Sequence, residues 1–250
     1  MALPVEFLSR PLAHRGLHDL AQGTPENSPA AFCAAIAGGY GIELDLQMSA
    51  DGHAMVFHDD DLDRLTGETG NVRERTALEL GQIPLKGGGE PIPTLATVLD
   101  IVKGQVPLLI EIKDQDGALG PKTGELEADA ASLLRAYSGP VAVMSFNPHA
   151  IFAFRASAPN ISAGLVTCNF TQSGWEHVTD QRRAELTHMP DLEPLQAEFI
   201  SHDRADLQSS VVRRVKRAGL PILCWTVRSA EQERKARQVA DNITFEGYLA

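Results

Sequence analysis

Cysteine is scarce in this chain of 250 residues: Cys33, Cys168 and Cys224 are widely spaced, odd in number and form no CxxC pair. That excludes a disulfide-stapled scaffold and a zinc knuckle, and leaves each thiol to be read as a small core residue. No run of 18 apolar residues occurs, and residues 1–10 lack the basic flank and apolar stretch of a targeting segment. Neither a membrane span nor an export signal is expected, and a cytoplasmic protein follows. Positive charge is in deficit as well. Twenty-two Lys and Arg stand against 33 Asp and Glu, a net charge of −11, which repels nucleic acid and anionic membrane surfaces over a Debye length. Any recognition of phosphate must then be local, made by a few cations inside a pocket.

What is present is an ordinary globular composition, 43% hydrophobic and 22% charged, with enough apolar material for a full core. An average of roughly 150 residues per domain does not force a boundary, because α/β barrels of about 250 residues are routinely single domains. Residues 1–250 are therefore expected to form one domain. Short apolar runs alternate with segments of helical spacing, the pattern of repeated βα units around a parallel sheet. Strands are predicted at 11–13, 41–47, 54–57, 107–112, 141–144, 162–166, 197–200, 221–225 and 242–244. Helices are predicted at 28–37, 95–102, 124–137, 148–156, 209–218 and 230–239. Ser28 before Pro29 is a good helix start, and Gly38 with Gly39 ends that helix.

Eight strands suffice to close a barrel, and the extra one is expected within the stretch 60–93. That stretch breaks the alternation with Asp-rich, Thr-Gly and Gly-Gly-Gly punctuation and reads as an excursion from the sheet. Residues 169–196 are similarly polar and irregular and read as a loop-rich cover over a site.

Charged groups gather at the downstream ends of predicted strands, which in a parallel barrel converge on the face that hosts active sites. The segments are His14-Arg15-Gly16, Glu43-Leu44-Asp45, His58-Asp59 and Glu111-Ile112-Lys113. On an extended strand Glu43 and Asp45 point to one side while Leu44 faces the opposite layer, and Glu111 and Lys113 likewise share a side. Carboxylates at a barrel mouth are costly to desolvate unless positive charge sits between them. A hard divalent cation, Mg²⁺ or Ca²⁺, held by Glu43, Asp45 and Glu111 is one solution; a structural ion network with Arg15 and Lys113 is the other.

Of eight histidines, His18, His53, His149, His177, His188 and His202 have no identifiable partner and read as surface or satisfied interior residues. His14 and His58 differ, because each follows an apolar strand and lies beside the carboxylates. Neighbours on a strand face opposite ways, so His14 and Arg15 serve one site only if the strand has ended there, as Gly16 allows. Such a set suits an anionic tetrahedral substrate. Phosphodiester cleavage needs cations on the non-bridging oxygens, one imidazole to take a proton from the attacking hydroxyl, and one to protonate the departing alkoxide.

These residues stand in a longer series: Ala13-His14-Arg15-Gly16, Pro25-Glu26-Asn27-Ser28, Glu43-Leu44-Asp45, Asp51-Gly52, Val56-Phe57-His58-Asp59, Leu62-Asp63-Arg64 and Thr66-Gly67. It continues through Ile92-Pro93-Thr94-Leu95, Leu109-Ile110-Glu111-Ile112-Lys113, Ser145-Phe146-Asn147-Pro148 and Cys224-Trp225-Thr226-Val227. Taken together the series resembles the glycerophosphodiester phosphodiesterase family, densely over residues 11–114 and sparsely afterwards. The resemblance implies a TIM (β/α)8 barrel with a small insertion after its second strand, here at 60–93. It implies metal-dependent hydrolysis of glycerophosphodiesters, small-molecule substrates, to sn-glycerol 3-phosphate and an alcohol in glycerophospholipid breakdown. Glu43, Asp45 and Glu111 would hold the divalent ion, His14 and His58 form the acid–base pair, and Arg15 and Lys113 contact phosphate.

Glu26 and Asn27 would sit at the mouth, facing the anion or orienting a histidine, and Trp225 would be the aromatic presented there unless it is a core residue. The family usually closes its last strand with Thr-Asp-x-Pro, whereas Thr244 is followed by Phe245-Glu246-Gly247-Tyr248. Residues 169–196 match no family pattern, which leaves the leaving alcohol open, as the sequence also leaves the oligomeric state. Two rivals remain: sphingomyelinase D-like transphosphatidylation, in which an internal hydroxyl attacks and a cyclic phosphate leaves, and a non-catalytic phosphoester-binding barrel.

Overall fold

The computed structural model describes residues 2–171 and 174–250. Its strands are β1 (Leu12–Ala13), β2 (Gly41–Met48), β3 (Ala54–Val56), β4 (Leu108–Ile112), β5 (Val141–Ser145), β6 (Ser162–Thr167), β7 (Ile200–Asp203), β8 (Ile222–Val227) and β9 (Asn242–Phe245). All but β3 pair in parallel, in the order β1-β9-β8-β7-β6-β5-β4-β2, and a ladder between β1 and β2 closes the ring. The result is an eight-stranded TIM barrel, as the alternation of apolar runs and helical segments predicts.

The extra strand is not in the stretch 60–93. It is β3, which pairs antiparallel with the end of β2 through Leu46 and Val56. The reason is chain length: five residues separate β2 from β3, enough for a hairpin and far too few for a parallel crossover. β7 also lies three residues later than predicted. Residues 197–199 are buried, but the ladder itself runs through Ser201, His202 and Asp203, whose polarity conceals a strand.

The helices are α1 (Glu6–Ser9), α2 (Pro29–Gly38), α3 (Ala77–Leu80), α4 (Leu95–Val102), α5 (Glu125–Leu134), α6 (Pro148–Ser157), α7 (Asp180–Thr187), α8 (Ser210–Arg217) and α9 (Ala230–Ala236). α2 shows how local sequence sets an element. The Ser28 hydroxyl accepts from Ala31 N–H at 3.1 Å, Pro29 opens the helix, and Gly39 ends it at a φ of +73°. Its buried face is Ala31, Phe32 and Ala35. Cys33 falls on the other side and is exposed, contrary to expectation, while Cys168 and Cys224 are buried.

The main core lies between the sheet and the helices. A second apolar cluster fills the barrel itself: Leu12, Leu109, Met144, Val166, Phe199 and Leu223, joined by Leu3 and Phe7. The buried Asn242 amide donates to the carbonyls of Phe7 and Arg10 at 2.7 and 2.5 Å, holding α1 against β9. Gly164 allows the interior to close. A Cβ there would sit 2.5 Å from the Phe199 carbonyl oxygen and 2.8 Å from its ring. Gly164→Ala is therefore expected to destabilise the protein by about 1–3 kcal/mol through overpacking, measured as a lower urea midpoint at unchanged slope.

Between β3 and α4 the chain forms a small apolar cluster of its own around Phe57, Leu62, Val72, Leu80 and Leu85. Residues 169–196 are not wholly irregular, since α7 lies within them, capped by the Thr179 hydroxyl. Leu186 of α7 packs with Leu119, Cys168, Phe170 and Val178, against the rings of Phe146, Trp175 and Trp225. Residues 172 and 173 of that region lie outside the described residues. Among the described residues no helix is long and apolar enough to cross a membrane.

Candidate active site

The site begins where β1 ends. Gly16 N–H donates to the Ala13 carbonyl at 3.2 Å, Arg15 has a φ of +54° and Gly16 of +80°. A Cβ on Gly16 would lie 2.8 Å from that of Ala31, so both conformation and space call for glycine. The turn removes the strand alternation that would send His14 and Arg15 to opposite faces. Asn27 also lies in the left-handed region, at +54°, and its N–H donates to the Arg15 carbonyl at 2.8 Å. Such non-glycine conformations cost of order 1–3 kcal/mol each and persist where surroundings enforce them.

Glu43 and Asp45 on β2 and Glu111 on β4 come together: one carboxylate oxygen from each lies within 4.8 Å of the others. They are 2%, 1% and 7% exposed. The register explains it, since Asp45 stands opposite Glu111 across the ladder and Glu43 is two residues along the same face. Lys113 Nζ lies 2.7 Å from both Asp45 Oδ1 and Glu111 Oε1, and Arg15 Nε lies 3.4 Å from Asp45 Oδ2. Desolvation and the neighbouring charges of Asp45 and Glu111 push Glu43 well above the usual carboxylate range. Burial also acts against ionised Asp45, but Lys113, His58 and Arg15 hold it well below that range.

This donor set fits a hard divalent cation. It offers three crowded, buried carboxylates, and Asn27 adds a buried Oδ1 with no hydrogen-bond partner while its Nδ2 donates to Asp45 Oδ2 at 2.9 Å. The ion-network pairing with Arg15 and Lys113 is the arrangement observed, and the same three carboxylates supply the donors of the other solution.

His58 reaches the trio by a different route from the one expected. It does not end a parallel barrel strand; the antiparallel return of β3 carries it back, with Phe57 N–H donating to the Asp45 carbonyl at 3.1 Å. Its Nδ1 lies 2.6 Å from Asp59 Oδ1. Arg64 bonds Asp59 through Nε at 2.6 Å and Glu26 through both terminal nitrogens, and Arg15 Nη1 donates to Glu26 Oε1 at 2.6 Å. Glu26 thus joins two arginines, and a chain of charge-assisted bonds runs from His58 to Arg15. Burial alone would raise the Glu26 carboxyl, but Arg64 and Arg15 hold it below its usual range.

A cavity of about 760 Å³ opens over the site, lined by His58, Asp59, Glu111, Lys113, Phe146, Trp175 and Trp225 among others. Trp225 is half-buried; its indole N–H donates to the Ser201 carbonyl at 3.0 Å, and its ring meets Phe146 edge to face. It is at once a packed residue and a wall of the cavity. Trp175, from the cover, stacks edge-on against the other side of that cluster.

His14 does not line this cavity. Its Nδ1 is hydrogen-bonded to Glu246 Oε2, beside a second cavity of about 780 Å³ lined by Gly16, His18, Glu246 and Tyr248. Burial lowers the His14 pKa to about 4 against the raising effect of Glu246, so the imidazole is neutral at physiological pH. His18, read from sequence as without a partner, places Nε2 3.6 Å from the same Glu246 oxygen. Asp59, Arg64 and Phe146 stand inside the motifs quoted above, yet Glu246 and Trp175 carry no local signal. Glu246 meets His14 across 232 positions of sequence.

The sequence profile of the glycerophosphoryl diester phosphodiesterase family matches residues 14–242. A glycerophosphodiester phosphodiesterase of Caldanaerobacter subterraneus subsp. tengcongensis is 30% identical over 244 residues, covering 93% of this chain and 91% of its own. Among solved structures, an Oleispira antarctica phosphodiesterase in complex with the product sn-glycerol-3-phosphate is 26% identical with a TM-score of 0.78, covering 97% of this chain and 94% of that one. A glycerophosphodiester phosphodiesterase from Thermotoga maritima, 24% identical over 94% of this chain and 92% of its own, shares the fold with a TM-score of 0.67. Matched by the family's profile over residues 14–242 and by a relative of 30% identity over nearly its whole length, the chain belongs to the glycerophosphoryl diester phosphodiesterase family.

Proposed function

We propose that this phosphodiesterase hydrolyses glycerophosphodiesters to sn-glycerol 3-phosphate and an alcohol, with Mg²⁺ or Ca²⁺ held by Glu43, Asp45 and Glu111, in the breakdown of deacylated glycerophospholipids. Residues 1–250 act as one catalytic unit, with 60–93 as an insertion. The carrying observation is the convergence of the three buried carboxylates with Lys113 and Arg15. The product complex of the Oleispira relative supports the same product here. Three free cysteines suit a reducing, cytoplasmic setting.

When bound, the divalent ion would supply Lewis-acid neutralisation of charge on the phosphate oxygens. Lys113 and Arg15 add fixed positive charge at the same place, where it counts most as charge develops in the transition state. Neutral His14 takes a proton from the attacking water, whose oxygen forms the new bond to phosphorus. His58, lining the open cavity, gives a proton to the departing alkoxide, so one P–O bond forms as another breaks and the protons balance. Glu26 holds Arg15 in register, and Asn27 fixes Asp45. Trp225, with Phe146, walls one side of the cavity that would take the substrate.

His14 also sets a pH expectation. It accepts a proton only when neutral, and its pKa is lowered to about 4. At saturating divalent ion, which keeps Glu43 ionised and bound, the limb of the kcat/KM profile that belongs to His14 should therefore lie well below pH 6.5, near about 4.

The test of the function is detection of glycerol 3-phosphate from choline, ethanolamine and glycerol diesters, with and without chelator, followed by phosphorus NMR. Glycerol 3-phosphate formed only with divalent ion supports the reading. A cyclic ester accumulating as the end product would replace it with transphosphatidylation, and saturable binding without turnover would replace it with a phosphoester-binding barrel.

A further inference from the structure

We infer that Glu246 is the positioning residue of His14, holding the imidazole with its proton on Nδ1 so that Nε2 carries the lone pair used in catalysis. The inference rests on the reading of His14 as proton acceptor. Residues 245 and 246 grip His14 twice: the Phe245 carbonyl accepts its backbone N–H at 2.9 Å, and Glu246 Oε2 accepts from Nδ1. Glu246 is itself anchored. Its Oε1 accepts from Arg228 Nε at 2.7 Å, and its backbone N–H donates to the Val227 carbonyl at 3.0 Å. The carboxylate is thus tied to the ends of β8 and β9 and presents one oxygen to the ring.

Charge agrees with geometry. Burial acts against ionised Glu246, but His14 above all, then His18 and Arg228, hold its carboxyl well below the usual range. An ionised carboxylate only accepts, so a neutral His14 must be the donor at Nδ1, and a carboxylate on one ring nitrogen fixes the tautomer for the other. The remaining charged groups facing His14 are Arg15, Asp45 and His18. His18 Nε2 lies 3.6 Å from Glu246 Oε2, beyond a hydrogen bond and farther than His14 Nδ1. His14, His18 and Glu246 also come within 4.8 Å of one another. Of the three, His14 and Glu246 share a hydrogen bond, and the other oxygen of Glu246 is taken by Arg228.

E246Q keeps the shape and removes the charge. The expected result is a kcat loss of about 10²- to 10⁴-fold, the scale set by replacing the carboxylate that orients a catalytic histidine with its amide, with KM within about twofold. E246D, which keeps a carboxylate, should recover part of the loss. Imidazole nitrogen NMR should show His14 moving from the Nδ1–H tautomer toward a mixture, a change that a purely structural glutamate would not produce. In a His14→Ala background, E246Q should add no further loss.

Full kcat in E246Q, an undisturbed tautomer, or an equal loss in the His14→Ala background would overturn the inference. Normal turnover in His14→Ala would instead remove the reading beneath it, while the tautomer measurement still decides what Glu246 does to the ring. Should E246Q not fold, R228Q at an exposed position frees the carboxylate from its anchor, with a few-fold kcat loss and a mixed tautomer expected.

Discussion

Replacing His14 or His58 by alanine is expected to lower kcat by about 10² to 10⁴, the worth of a positioned general acid or base, and to leave the barrel folded. The second half follows from what each imidazole leaves behind. Without His14, Glu246 keeps Arg228; without His58, Asp59 keeps Arg64. Neither substitution strands a buried charge, which is the usual cause of severe destabilisation. KM should change little, because Arg15 and Lys113, the groups proposed to meet phosphate, are untouched. Steady-state kinetics at saturating divalent ion, with far-UV circular dichroism as the folding control, checks both parts. Near-normal turnover in both variants would remove the assigned mechanism.

The second large effect is that of the ion. Chelation is expected to lower activity by about 10³-fold or more, because Lewis-acid stabilisation of transition-state charge is worth several kcal/mol and each 1.36 kcal/mol is tenfold in rate. Added Mg²⁺ or Ca²⁺ should restore it, and Glu111→Gln should blunt the restoration by removing an oxygen donor. The measurement is turnover against free ion concentration in the two proteins. Chelator-resistant turnover equal to that of the ion-loaded enzyme would show that the three acids serve Lys113 and Arg15 alone.

Much of this architecture is legible in the sequence because the relevant physics is local. Alternation along β2 and β4 states which side Glu43, Asp45, Glu111 and Lys113 take, and the ladder then has only to place the two strands side by side. The Arg15-Gly16 turn is likewise legible from its glycine. What escapes is set by distance or by length. β3 has the apolar character of a barrel strand, and only the five-residue connection before it shows that it must run the other way. β7 is masked by Ser201, His202 and Asp203. α7 has a polar surface, and its one buried residue, Leu186, gives no periodic signal. Glu246 is the clearest case. It sits in a closing segment that departs from the family's usual Thr-Asp-x-Pro, and nothing around it announces a partner near the other end of the chain.

The position of Lys113 has a consequence for how the enzyme comes into being. Its ammonium lies between Asp45 and Glu111, while Glu43 is driven toward its protonated form and Arg15 stands alongside. The repulsion that three acids would otherwise generate is neutralised from within. On the proposed reading of the trio as an ion site, a nascent chain would finish its barrel in a magnesium-starved cell and wait there as a dormant precursor, so that mineral supply would govern output after synthesis without deciding whether the protein survives it.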